Sequence, residues 1–85
     1  MKLDIERIAR NRMCNYLIST IRLGTSYETA LRKENGPFVV VQQYTTEQEA
    51  QKYHKEWVQF CEKMPTTVLN CNGVEQSLLG DVCDT

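Results

Sequence analysis

The stretch that decides the fold class is Tyr44-Thr45-Thr46-Glu47-Gln48-Glu49-Ala50-Gln51-Lys52-Tyr53-His54-Lys55-Glu56-Trp57-Val58-Gln59-Phe60-Cys61-Glu62-Lys63-Met64-Pro65. Thr46 followed three residues later by Glu49 is a capping box. The hydroxyl accepts a hydrogen bond from a free N–H of the first turn, and the carboxylate reaches back towards the cap. Glu47 and Glu49 sit where the helix dipole favours negative charge, and Lys63 where it favours positive charge. Ala50, Tyr53, Trp57, Phe60, Cys61 and Met64 recur at helical spacing, with Lys52, Lys55, Glu56, Gln59 and Glu62 elsewhere on the wheel. Pro65 stops the run. The spacing predicts a long amphipathic helix over 47–64, with Trp57 at the middle of its buried stripe.

Upstream, the period changes from 3.6 to 2. Residues 38–44 (Phe-Val-Val-Val-Gln-Gln-Tyr) and 27–33 (Tyr-Glu-Thr-Ala-Leu-Arg-Lys) read as two strands joined at Asn35-Gly36, a tight-hairpin signal. Pro37 has no N–H to return across a two-residue turn, so a longer or distorted loop is expected. Pairing about that turn sets Leu31 opposite Val40 and Tyr27 opposite Tyr44, which gathers Tyr27, Leu31, Phe38, Val40 and Tyr44 on one face. Gly24-Thr25-Ser26 separates a further strand, 17–23, whose Leu17, Ile21 and Leu23 share a face. Before it, Asp4 can cap a short helix in which Ile5, Ile8, Ala9 and Met13 form an apolar stripe opposite Glu6, Arg7, Arg10 and Asn11. After Pro65, the run 66–69 reads as a fourth strand or edge extension and Asn72-Gly73 as a turn. The segment 65–85 as a whole reads as weakly ordered, with one helical turn expected at Leu78 and Leu79. The expected class is α+β. It comprises an N-terminal helix, a three-stranded antiparallel meander and the long helix packed on the sheet, with an ordered core over 3–64.

Eighty-five residues hold one domain, and 41% hydrophobic with 25% charged residues is too apolar for disorder. A net charge of −1 argues against nucleic acid as the default partner and against a nucleic-acid mimic. The charge is unevenly divided: residues 1–33 carry seven basic groups against three acids, and residues 34–85 three against eight. Attraction between the two halves inside one fold accounts for this as readily as association does. No run of apolar residues is long enough to span a membrane, and the charged start lacks the apolar stretch of an export signal. A cytoplasmic location with reduced thiols is therefore expected for Cys14, Cys61, Cys71 and Cys83. Cys14 and Cys61 read as buried small hydrophobes.

The sequence holds little chemistry. No C-x-x-C, phosphate-binding glycine loop, G-x-S-x-G or H-E-x-x-H occurs. His54, the single histidine, reads as a structural residue bonded to a carbonyl or carboxylate near the sheet. Its pairing with Cys61 and a later cysteine matches no recognised zinc spacing. The expectation is no catalytic residue, no cofactor and no metal. Two surfaces offer themselves for a partner. Arg7, Arg10 and Arg12 line one edge of the first element, which suits an acidic protein surface or phosphates, although a solvated face explains them too. Trp57, Val58 and Phe60 cannot all point the same way, since adjacent helical residues differ by about 100°, so either the first helix or a second chain covers Val58 and Phe60. A homodimer is one such arrangement.

Tyr27-Glu28-Thr29, the run 44–50 and His54, preceded by the run 19–24, resemble small uncharacterised proteins of phage and prophage genomes. Those show a strand ending Y-E-T, a hairpin, an aromatic and a Thr or Ser cap, then E-E-A and a helix carrying G-H. The likeness covers about 18–62, with Gln48 for the first glutamate and Tyr53 for the glycine before the histidine. It implies the strand–strand–helix order and a phage-type accessory protein that binds, and inhibits, host or defence machinery. A component of the phage particle, or a small nucleotide- or nucleic-acid-binding module, is the alternative.

Overall fold

A computed structural model describes residues 4–79. The order is β1 (Ile5–Met13), β2 (Tyr16–Leu23), β3 (Ser26–Lys33), β4 (Val39–Tyr44), α1 (Glu47–Cys61), β5 (Thr67–Leu69) and β6 (Glu75–Ser77). β1 to β4 form one antiparallel sheet in chain order, and β5 and β6 a small second hairpin. The class is α+β, as the change of period implies.

The expected N-terminal helix is a strand, so the sheet has four strands rather than three. β1 pairs with β2 along its length, with a bulge between Arg7 and Ala9. That bulge is why the sequence mimics a helix. One extra residue turns Ile8 and Ala9 to the same side, which reproduces an i, i+1, i+5 stripe through Met13 that a period of 2 does not predict. The deciding factor is tertiary. Without β1, Tyr16, Ile18 and Thr20 of β2 would leave their backbone groups unpaired next to the core, whereas a short N-terminal helix pairs none of them.

The register also rotates β2 relative to expectation. Tyr16, Ile18 and Thr20 are buried beneath the helix, whereas Leu17, Ile21 and Leu23 lie on the other face. Both faces of 16–23 are apolar enough that periodicity alone does not choose between them. β3 meets β4 through a five-residue connection, 34–38, consistent with a proline after Asn35-Gly36. Tyr27 stands opposite Tyr44 as the hairpin predicts, but Leu31 pairs with Val39 and Ala30 with Val40. A second bulge, in β4, puts Val39 and Val41 both into the core. Phe38, expected in that cluster, is half-exposed instead and lies under the Arg32 guanidinium.

α1 begins where the capping box places it. Thr46 Oγ1 accepts from the Glu49 N–H at 3.2 Å, and Glu49 Oε1 accepts from the N–H of Thr45, one residue before the cap. The helix ends at Cys61, three residues earlier than expected, and Met64 takes a left-handed φ of 55°. The face it buries is Ala50, His54 and Cys61, so His54 rather than Trp57 lies at the middle. Trp57, Val58 and Phe60 are half-buried at its flanks.

Residues 65–79 are ordered, not a loose tail. The β5–β6 hairpin delivers Val68, and the residue after it Leu78, into the cluster of Tyr16, Ile18, Leu31, Val39, Val41 and Cys61. Leu78 is a buried core residue and not part of a helical turn. The Cys71 N–H donates to the Val40 carbonyl at 2.8 Å, pinning the hairpin to the edge of β4, and the Tyr16 hydroxyl donates to the Pro65 carbonyl.

Candidate binding surface

Beneath α1 a chain of side-chain hydrogen bonds crosses the whole sheet. The Tyr44 hydroxyl donates to Thr29 Oγ1 at 3.0 Å. The Thr29 and Thr20 hydroxyls lie 2.6 Å apart, and Thr20 Oγ1 is 2.7 Å from His54 Nδ1. His54 Nε2 is 2.7 Å from Asn11 Oδ1. The register explains the central link: Thr20 and Thr29 are directly opposed in the β2–β3 ladder. Because Asn11 Oδ1 only accepts, Nε2 carries the proton and Nδ1 accepts from Thr20. Thr29 then donates to Thr20, and each link has one donor and one acceptor. This is a neutral imidazole. Burial lowers the His54 pKa, in agreement with that assignment. Burial likewise raises Tyr44 and pushes the Cys61 thiol up to about 11.

A hydroxyl, an imidazole and an amide in line resemble a nucleophile, a base and its orienting group. Thr20 is 0% exposed and His54 3%. Both lie inside the fold, where the chain ties β1, β2, β3 and β4 to α1. The partners of His54 are a threonine and an asparagine, not the carbonyl or carboxylate expected. Among the described residues no three His, Cys, Asp or Glu side chains cluster to hold a metal ion, and no helix is long and apolar enough to cross a membrane. Cys61 is buried, whereas Cys14 is exposed in the β1–β2 turn, against expectation, with a φ of 53°. Cys83 lies outside the described residues.

The opposite face of the sheet carries no helix or strand among the described residues. Its rows follow from the registers: Ile5 beside Leu23, Arg7 beside Ile21 and Glu28, Arg10 beside Ser19, Ala30 and Val40, and Arg12 beside Leu17 and Arg32. Arg7, Arg10 and Arg12, expected on a helix, therefore stand in a line on an edge strand, all exposed and on one face. Ile5 and Phe38, 52% and 50% exposed, bracket the face, and Ile21, Ala30 and Val40 are half-buried in it. Arg22, on the helix side, takes up the neighbouring carboxylates: Nη1 meets Asp4 and Nε meets Glu6, each at 3.1 Å. That pairing holds the Asp4 carboxyl below its ordinary value. None of the ion pairs among the described residues uses Arg7, Arg10, Arg12 or Arg32.

Val58 and Phe60 do not join this surface or each other. Val58 lines a groove between β1 and α1, with Ile8, Ala9, Asn11, His54 and Gln51. Phe60 lies on the other flank, edge-on to Trp57 at 5.3 Å. There the Trp57 indole donates to Gln42 Oε1 at 2.9 Å, and Tyr53 stacks on Tyr44. The sequence reading missed Ile8, Ala9 and Ile21 as surface-forming residues. Their signal was the residual apolarity of 5–13 and of the alternate positions of 17–23, once β1 is read as a strand. The chain matches no family model, no curated protein and no solved structure.

Proposed function

We propose that this chain acts by binding another protein through the arginine-bearing face and edge of its sheet. One observation carries the reading: three arginines with no acid partner among the described residues leave one edge strand on the face that also exposes aliphatic side chains. An apolar patch rimmed by charge is the usual signature of an interaction site, and arginine is over-represented among anchoring residues. The likeness of 18–62 to phage and prophage proteins supports a host or defence protein as the target and inhibition as the outcome. Four arginines also suit a phosphate backbone, which keeps single-stranded nucleic acid as a second reading. Base stacking would need free aromatic faces there, and Phe38 already carries Arg32 at 5.3 Å.

The test is an identity-resolved capture from host lysate, comparing the wild-type chain with the Arg7→Glu, Arg10→Glu, Arg12→Glu variant. A partner held by the wild type and lost by a variant with an unchanged unfolding midpoint supports the reading. Equal capture by both overturns it, and so does nuclease-sensitive capture.

A further inference from the structure

We propose that the edge of β1, together with the groove between β1 and α1, is a strand-addition site. Its ligand is an extended segment of a partner protein that alternates acidic with apolar residues. This rests on the protein-binding reading above and specifies the partner's chemistry.

The backbone sets the first condition. β1 and β2 are joined by the two residues Cys14 and Asn15, so Met13 and Tyr16 form the hydrogen-bonded pair that flanks the turn. Alternation from there directs the N–H and C=O groups of Ala9, Asn11 and Met13 towards β2. It directs those of Arg10 and Arg12 outward, to the edge that no other strand among the described residues occupies. The run from Ala9 to Met13, beyond the bulge, is regular, and an added strand would find two donors and two acceptors there.

The side chains set the second. On the open face Arg10 and Arg12 would stand beside alternate residues of an added strand, and opposite charges so placed attract. On the helix side lies a groove of about 530 Å³ in which Ile8, Ala9 and Val58 are the apolar lining, with Lys55 and Glu62 of opposite sign at the rim. The intervening residues of the added strand would enter it. A peptide laid along an edge strand, with alternate side chains in an adjoining groove, is an established way for sheet proteins to read extended segments.

The same features select the occupant. A second copy pairing antiparallel through β1 sets Arg10 and Arg12 against their own counterparts, a like-charge arrangement that edge strands use to avoid self-association. A nucleic acid would use the arginines but has nothing to place against Ile8, Ala9 and Val58. An acidic–apolar segment satisfies both sides of the strand.

The experiment uses the full chain labelled with ¹⁵N and a capped heptapeptide alternating glutamate with valine. Saturable shifts are expected at Ile8, Ala9 and Val58 at sub-millimolar peptide, with amide exchange at Arg10 and Arg12 slowed about tenfold or more. A lysine–valine heptapeptide should bind about tenfold more weakly, and Arg10→Glu with Arg12→Glu should reverse that order. Unprotected Arg10 and Arg12 amides at millimolar peptide would overturn the proposal, as would shifts confined to Ile21, Ala30 and Val40. Protection that grows with protein concentration in the absence of peptide would assign the edge to a second copy and equally overturn it. In each of these cases loss of partner capture on charge reversal would still uphold the binding surface, so the two conclusions fail separately.

Discussion

Thr20→Val is the most informative single change in the core, because it keeps the shape of a wholly buried side chain and deletes only its hydroxyl. That hydroxyl donates to His54 Nδ1 at 2.7 Å and accepts from Thr29 at 2.6 Å. Losing it strands the imidazole acceptor, and a buried polar atom without a partner costs about 1–3 kcal/mol. The Thr29 hydroxyl can turn towards Tyr44, whose own proton then has Gln42 Oε1 at 3.4 Å as a poorer acceptor, so a second, smaller loss follows. The added methyl group recovers up to about 1 kcal/mol. The expected net loss is about 2 kcal/mol, from a domain whose total stability is on the order of 4–12 kcal/mol. Urea unfolding followed by Trp57 fluorescence should show a lower midpoint with an unchanged slope, and the thermal midpoint should fall by about 8–16 °C. Thr20→Ser, which retains the hydroxyl, should keep the hydrogen bonds and lose only the methyl contribution. Adding Thr29→Val to Thr20→Val should cost less than the sum of the single changes, because one severed link is then counted twice. A loss below about 0.5 kcal/mol for Thr20→Val would refute the continuous chain and its neutral histidine.

Acid should destabilise the fold through the same histidine. Its native pKa is lowered by burial, so below pH 6.5 the unfolded chain binds a proton that the native state refuses. Stability then falls by up to about 1.4 kcal/mol per pH unit until the native pKa is reached. Thermal midpoints between pH 7.5 and 5 should drop more steeply for the wild type than for His54→Gln, and parallel curves would contradict this. Thr46→Ala removes the helix cap and should cost about 1 kcal/mol by urea unfolding; an unchanged midpoint would place the start of α1 elsewhere. Gly36→Ala should loosen the C-terminal segment, since a Cβ at Gly36 would collide with the Leu78 carbonyl oxygen. Faster amide exchange at Leu78, whose N–H donates to Thr66, is the expected readout, and unaltered protection would count against that contact.

The sequence made α1 legible because its signals are local: a cap, a dipole-matched first turn and a proline stop. The β3–β4 hairpin was legible for the same reason, through Asn35, Gly36 and the Tyr27–Tyr44 pair. β1 was not, because a bulge is invisible to periodicity and Ile5, Ile8, Ala9 and Met13 satisfy a helical wheel. The two faces of β2 carry similar apolarity, so only the register set by β1 and β3 decides that Ile18 faces the helix and Ile21 does not. Residues 66–79 hold just Val68 and Leu78 for the core, too few to announce a strand pair. Arg7, Arg10 and Arg12 are legible as a set even though the strand that carries them is not. Their common face survives because the bulge between Arg7 and Ala9 compensates for the odd spacing from Arg7 to Arg10.

The clasp formed by Val68, Leu78 and the Tyr16–Pro65 hydrogen bond has a kinetic consequence. Every pairing among β1 to β4 joins strands adjacent in the chain, so the meander closes short loops at low entropic cost. The Tyr16–Pro65 contact instead spans 49 positions. A folding nucleus built from the meander, with α1 laid over it, would precede the clasp. Substitutions at Val68 or Leu78 would then leave the refolding rate nearly unchanged and accelerate unfolding, so the last residues to join the core set how long the native state lasts.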